Sequence, residues 1–188
     1  MRTITYGGAV SLDGFLAGAD GAIDWLHFTK DIQQVMTDYW KNVDTILMGR
    51  KTWAFAAAQQ RPSAKSTKKT KRRPPRGPAM RTYVFSRTIK SIDEPGVELV
   101  ADNAVQFVRK LKHQPGQEIC LMGGGELATS LLGAGLVDEV RLNIHPVLLG
   151  SGIPTFRDPG HRLKLRLTGC RRMEGDCILA SYKVSRAE

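Results

Sequence analysis

Three short segments of the chain carry residue types that suit an anion. Gly123-Gly124-Gly125-Glu126 follows one apolar run and precedes another of helical spacing. The glycines let a ligand approach the backbone closely, and a helix start offers free N–H groups and a partial positive charge. A diphosphate fits such a turn; so does plain tight packing, because the spacing is not G-x-G-x-x-G. Gly49-Arg50-Lys51-Thr52 and Ser86-Arg87-Thr88 each place cations and hydroxyls just after an apolar run. Two such segments can bracket a phosphate monoester, and an arginine can also stack on an adenine. Either alone reads as solvated loop charge, whereas both beside a glycine turn read as a nucleotide site. Asp13, Asp24 and Trp25 form a second group, candidates for the substrate side of such a site. Asp13 before Gly14 equally suits a turn, and Asp24 a loop or helix approach.

The elements that position these residues follow from periodicity. Thr3–Val10 reads as a strand feeding a long glycine-bearing loop, from Ser11-Leu12-Asp13-Gly14 to Asp24-Trp25-Leu26. Ile32, Val35, Met36, Tyr39 and Trp40 recur at helical spacing behind Thr29 or Asp31, which makes the aromatics core. Thr45–Met48, Thr82–Phe85 and Val97–Val100 read as strands, and Ala104, Phe107, Val108 and Leu111 as a helix capped by Asp102 or Asn103. Glu118–Met122 is a strand, and Leu127, Ala128, Leu131 and Leu132 form a helical face that Gly133 or Gly135 can stop. After Asp138 the period becomes two, in Val140, Leu142, Ile144 and again in Leu163, Leu165, Leu167. A last strand, Cys177–Val184, turns back across Glu174-Gly175-Asp176. About eight strands and three or four helices, βα first and an antiparallel hairpin last, predict an α/β protein with a mixed, mostly parallel sheet.

The 188 residues fit one domain. A hydrophobic fraction of 41% and a charged fraction of 24% are globular values. The net charge of +10 is concentrated, with nine Lys or Arg and no acid between Arg61 and Arg81, and the rest of the chain almost neutral. That stretch, about 59–81, holds several prolines and no apolar periodicity, so it reads as a solvated insertion; the alternative is a nucleic-acid-binding loop on a protein without turnover. Cys120, Cys170 and Cys177 suggest neither a disulfide framework nor a zinc site. His145, before Pro146 on a strand, reads as structural, and with His27, His113 and His161 shows no metal-ligand spacing. No apolar run is long enough to span a membrane, and Met1–Tyr6 has no apolar leader pattern, which points to a cytoplasmic protein.

Gly49-Arg50-Lys51-Thr52-Trp53 and the Gly123–Gly125 turn resemble the two cofactor motifs of dihydrofolate reductases. Ser11–Gly14, Met122–Leu127, Gly135–Val140 and Pro146–Pro154 are similar, in order, to the reductase domain of bacterial bifunctional riboflavin-biosynthesis proteins and its stand-alone relatives. The resemblance implies a dihydrofolate-reductase-like three-layer αβα fold, NADPH as cofactor and pairing into a homodimer. Ala9 and Val10 would line the nicotinamide, with Leu16, Ala17 and Gly18 in the covering loop. Gly49, Arg50, Lys51 and Thr52 would hold phosphates, Ser86, Arg87 and Thr88 the 2′-phosphate end, and Gly123, Gly124, Gly125, Glu126 and Leu127 the diphosphate. NADPH is expected over NADH because Arg50, Lys51 and Arg87 complement the extra phosphate and no acid stands among them.

One departure bears on the substrate. Dihydrofolate reductases place a carboxylate on the inner face of the first helix, where this chain has Gln33-Gln34 and Asp31 two residues early. Dihydrofolate thereby loses its obvious proton source; the substrate stays open as a small heterocyclic, imine or carbonyl compound, and the ribosylamino-pyrimidine reduction that the resemblance implies needs no such acid on that helix. No H-x-E and P-C-x-x-C pair is present, so the zinc deaminase half of the bifunctional proteins is not part of this sequence.

Overall fold

The computed structural model describes residues 1–60, 80–123 and 125–185, so Gly124 and nearly all of the basic insertion lie outside the described residues. Strands β1 (Ile4–Ser11), β3 (Val43–Gly49), β4 (Arg81–Phe85), β5 (Val97–Val100), β6 (Glu118–Met122), β7 (Glu139–His145), β9 (Leu165–Arg172) and β10 (Ile178–Val184) form one eight-stranded sheet. Its order is β5-β4-β3-β6-β1-β7-β10-β9. The six strands from β5 to β7 are parallel, and β10 runs antiparallel to β7 and β9. This is the mixed, mostly parallel sheet with a terminal hairpin that the periodicity predicts.

Period-two alternation decides the faces. Leu47 and Tyr6 both pair with Leu121, and Tyr6 also pairs with Val140, so these side chains share one face. Helices α3 (Ala104–Lys112) and α4 (Gly125–Gly133) close it with Val108, Leu111, Ala128 and Leu131. Each such buried Val or Leu side chain stabilises the fold by roughly 1.5–3 kcal/mol. The other face carries Thr5, Gly7, Cys120 and Arg141, and α1 (Lys30–Trp40) lies against it, with the Arg141 guanidinium 5.5 Å from the Tyr39 ring centre. Helices thus cover both faces.

Three features differ from expectation. A helix, α2 (Arg50–Gln60), starts directly at the end of β3 and absorbs Gln59 and Gln60, so the insertion begins later than position 59. The stretch after β1 contains a strand, β2 (Phe15–Ala17), paired antiparallel with β8 (Ile153–Pro154), and a turn closed by Gly18 N–H to Ala22 O at 2.9 Å. Gly152 makes that ribbon possible, since a Cβ there would sit 2.2 Å from the Ala17 carbonyl oxygen. The penultimate strand starts at Leu165 and runs to Arg172 with every residue exposed. Asn103 does cap α3, accepting from Gln106 N–H at 3.1 Å, whereas Thr29 precedes α1 without a side-chain cap.

Candidate active site

The carboxyl ends of β1, β3, β4, β6 and β7 lie at one edge of the sheet, and the loops leaving them carry the residues singled out in the sequence. On neighbouring strands, Met48 pairs with Met122. One residue further, β3 passes into α2 and β6 into Gly123, with α4 starting at Gly125. Two helix N-termini therefore open side by side, each with first-turn N–H groups that have no intrahelical acceptor. Gly123, at φ +59°, binds the two segments together: a Cβ there would lie 2.7 Å from both Oγ1 and Cγ2 of Thr52. Arg50 and Lys51 are exposed in the first turn of α2, with Gly49 half-buried beside them. Gly125 is buried under β8, where a Cβ would sit 3.1 Å from Pro154 O and 3.5 Å from Arg157 Cγ. Glu126 is exposed and pairs with Arg157 at 3.3 Å, while Leu127 turns into the core.

At the end of β4, Ser86 Oγ accepts from the N–H groups of Thr88 and Ile89 at 3.2 and 3.3 Å, and Ser86 N–H donates to Val100 O. This small turn presents Arg87 and Thr88 to solvent one strand away from β3. On the other side, Val10 is buried and Ala9 half-buried, with Leu16 of β2 next to the bare backbone of Gly8, 3.7 Å from where a Cβ would be. Ala17 is buried in the ribbon and Gly18 starts its turn. The predicted cofactor residues thus fall along one line of strand ends, Gly124 aside.

The three substrate-side candidates part ways. Asp13 is occupied as a clamp: Oδ1 accepts from Ser11 Oγ at 2.6 Å, and Oδ2 from the Leu149 and Gly150 N–H groups at 3.0 and 2.7 Å. These bonds hold its carboxyl below the ordinary range, the Ser11 hydroxyl contributing most. A lowered pKa in the folded state means stability that is present above about pH 4 and lost as pH falls through the folded value. Asp13→Asn should lower Tm by a few degrees at pH 7 and by progressively less as pH falls below about 4; a loss that does not shrink with falling pH, measured by thermal unfolding, would remove the carboxylate from this role. Asp24 is exposed. Trp25 is half-buried, its Nε1–H is buried without a partner among the described residues, and its ring stands edge-on to His145 with centroids 5.4 Å apart.

The first helix confirms the departure noted in the sequence. Gln33 and Gln34 are exposed and bond to Phe28 O and Asp38. Asp31 accepts from Thr29 Oγ1 and Ile32 N–H through Oδ1 and from Glu174 N–H through Oδ2, so it ties α1 to the β9–β10 turn. The Thr29 bond is the largest cause of its lowered pKa, which leaves it ionised and unsuited to proton delivery.

The sequence reads His145 as a structural strand residue; the structure buries it at the end of β7 and gives it company that the sequence does not show. His145, His27 and Cys177 come together from β7, the loop before α1 and the turn before β10. Positions this far apart leave no spacing signal to read.

The layered sheet with its glycine turn and strand-end cations is the fold of dihydrofolate reductases: the enzyme of Enterococcus faecalis, complexed with NADP(H) and RAB-propyl, matches at a TM-score of 0.67 with 13% identity, covering 98% of this chain and 97% of that one. Residues 2–179 match the RibD C-terminal domain, and the chain belongs to that family. The protein YyaP of Bacillus subtilis (strain 168) is 38% identical over 182 residues, 97% of this chain and 95% of its own length. Among solved structures, a Shewanella sp. PV-4 protein provisionally assigned to riboflavin biosynthesis matches at TM-score 0.80 and 22% identity, over 98% of this chain and all of that one. The Thermotoga maritima diaminohydroxyphosphoribosylaminopyrimidine deaminase/5-amino-6-(5-phosphoribosylamino)uracil reductase matches at 0.69 and 17% identity, over 98% of this chain and 57% of that one. Among the described residues no helix is long and apolar enough to cross a membrane.

Proposed function

We propose that the chain is an NADPH-dependent reductase of the riboflavin-biosynthesis type, one domain that passes hydride to a small heterocyclic, imine or carbonyl substrate. The observation that carries this reading is the junction of the α2 and α4 N-termini through Gly123 and Thr52, a cradle shaped by the missing Cβ. Reductases among the structural relatives, one of them complexed with NADP(H), support it. The cofactor supplies the hydride. The protein's own part is to fix its phosphates on Gly49–Thr52 and Gly123–Leu127, its 2′-phosphate on Ser86–Thr88, and its ring against Ala9 and Val10. Trp25 lends an indole N–H that has no partner among the described residues, and Asp24 a nearby carboxyl, to the substrate side. Asp13 positions the loop at 149–150 rather than touching the substrate. With Gln33 and Gln34 facing water, a pterin needing protonation from α1 is a poor substrate, and a ribosylamine opening to an imine is a better one.

The reading also carries a homodimer in the cytoplasm, supported by β9, whose apolar Leu165 and Leu167 are exposed along a free sheet edge. NADPH should quench tryptophan fluorescence and raise Tm, and Arg87→Ala should weaken NADPH binding about 10–100-fold while leaving NADH nearly unchanged. No NADPH response, or equal loss for both cofactors, defeats the assignment. Sedimentation of the same sample should give a dimer.

A further inference from the structure

We propose that His27, His145 and Cys177 form a site for a zinc-class divalent cation, separate from the cofactor cradle. The potential ligand atoms all lie within 4.8 Å of one another, and His145 Nδ1 is 3.4 Å from Cys177 Sγ. Bonds of about 2.0–2.1 Å to nitrogen and 2.3 Å to sulfur put tetrahedral ligand atoms roughly 3.3–3.6 Å apart, so this pair is already at ligand spacing. His27, which is exposed, completes the set within that 4.8 Å. Room for its ring comes from Gly175, at φ +72°, where a Cβ would sit 2.8 Å from His27 Nδ1. Two imidazoles and a thiolate are the donor chemistry of zinc or cobalt, not of magnesium or calcium, and three protein ligands leave a fourth position open.

The surroundings of His145 match this role. With the cation on Nδ1 its remaining proton sits on Nε2, which stands 3.0 Å from the Asn143 side-chain amide. Asn143 Oδ1 is buried and without a partner among the described residues, and turning the amide over brings this oxygen to accept from Nε2–H, the arrangement that orients metal-bound histidines. Burial, aided by His27, lowers the His145 pKa, so the ring is neutral and able to ligate. Burial first, then Asp31 and Asp176, raises that of the Cys177 thiol. The same two carboxylates favour a cation, even though Asp176 is paired with Arg172 and Asp31 faces Arg171. Binding converts the thiol to a metal-bound thiolate and releases one proton to solvent, so affinity rises with pH.

Cobalt(II) titrated into the full chain tests this, because a thiolate–cobalt bond gives a charge-transfer absorption. One equivalent should produce that band. Cys177→Ser should abolish it, and Cys170→Ser, on an exposed free thiol, should leave it intact. His27→Ala, at an exposed position, should weaken cobalt binding by more than about tenfold with an unchanged circular dichroism spectrum. Absence of the band, its persistence in Cys177→Ser, or its loss in Cys170→Ser overturns the site and leaves the Cys177–His145 contact a simple hydrogen bond. None of these readouts requires NADPH or turnover.

Discussion

Gly123→Ala should cost about 2–4 kcal/mol of stability and weaken NADPH binding at least about tenfold. Two separate penalties add. At φ +59° an alanine enters the left-handed region, worth about 1–2 kcal/mol. Its Cβ also meets Thr52 Oγ1 and Cγ2 at 2.7 Å, an overlap that forces either β6 or the first turn of α2 to move. The two parts can be told apart. In Gly123→Ala with Thr52→Ala, the nearest remaining atom is Thr52 Cβ at 3.3 Å, so the overlap is largely relieved while the backbone penalty stays. Urea denaturation of the two single variants and the double one should show a favourable coupling of about 1–3 kcal/mol. Strict additivity would mean that Thr52 does not limit the space at Gly123, and the joined helix N-termini would lose their structural basis.

The second large effect lies far from the site, at the opposite end of the strands. Lys112 is buried at the end of α3, its Nζ donating to Leu136 O at 2.7 Å and to Asp138 Oδ2 at 2.5 Å. The same Oδ2 accepts from Ile4 N–H at 2.9 Å, so one ion pair fastens α3, the start of β1 and the approach to β7. Lys112→Ala should cost about 3 kcal/mol in urea denaturation, the lower end for a broken buried pair because a quarter of the Asp138 side chain still meets water. Lys41→Ala provides the contrast. Its pair with Asp38 is 65% and 55% exposed and should matter by no more than about 0.5 kcal/mol. Similar losses for both variants would show that the buried ammonium holds nothing that a surface one does not.

How much of this was legible in the sequence depends on the length of each signal. Val97–Val100 and Glu118–Met122 match the structure residue for residue, because short apolar runs bounded by polar turns have few alternatives in a buried parallel sheet. The helix Arg50–Gln60 escaped notice because it has no amphipathic stripe, although Ala54, Ala56, Ala57 and Ala58 favour a helix on propensity alone. Phe15–Ala17 and Ile153–Pro154 are too short to show a period, and they pair only because Gly152 lets the backbones approach. The nucleotide segments were readable as motifs. Their meeting was not, since it depends on β3 and β6 being neighbours despite the long separation between them. Asp13 illustrates the opposite limit: Asp-Gly spelled a turn, but only the fold shows that the carboxylate reaches Leu149 and Gly150.

The place of β1 in the sheet has a consequence for how the chain is made. Ile4–Ser11 leaves the ribosome well before its two sheet neighbours, Glu118–Met122 and Glu139–His145, with Ile4 opposite Ile119 and Thr5 opposite Glu139. Until both arrive, the middle of the sheet is a gap and a strand whose Ile4, Tyr6 and Val10 are destined for burial waits without a partner. Such distant parallel pairing makes folding slow and leaves nascent chains prone to association. A chain cut short before Val140 should therefore be a substrate for chaperones rather than a smaller working protein, and the buried Lys112–Asp138 pair closes only when synthesis has reached the residue just ahead of β7.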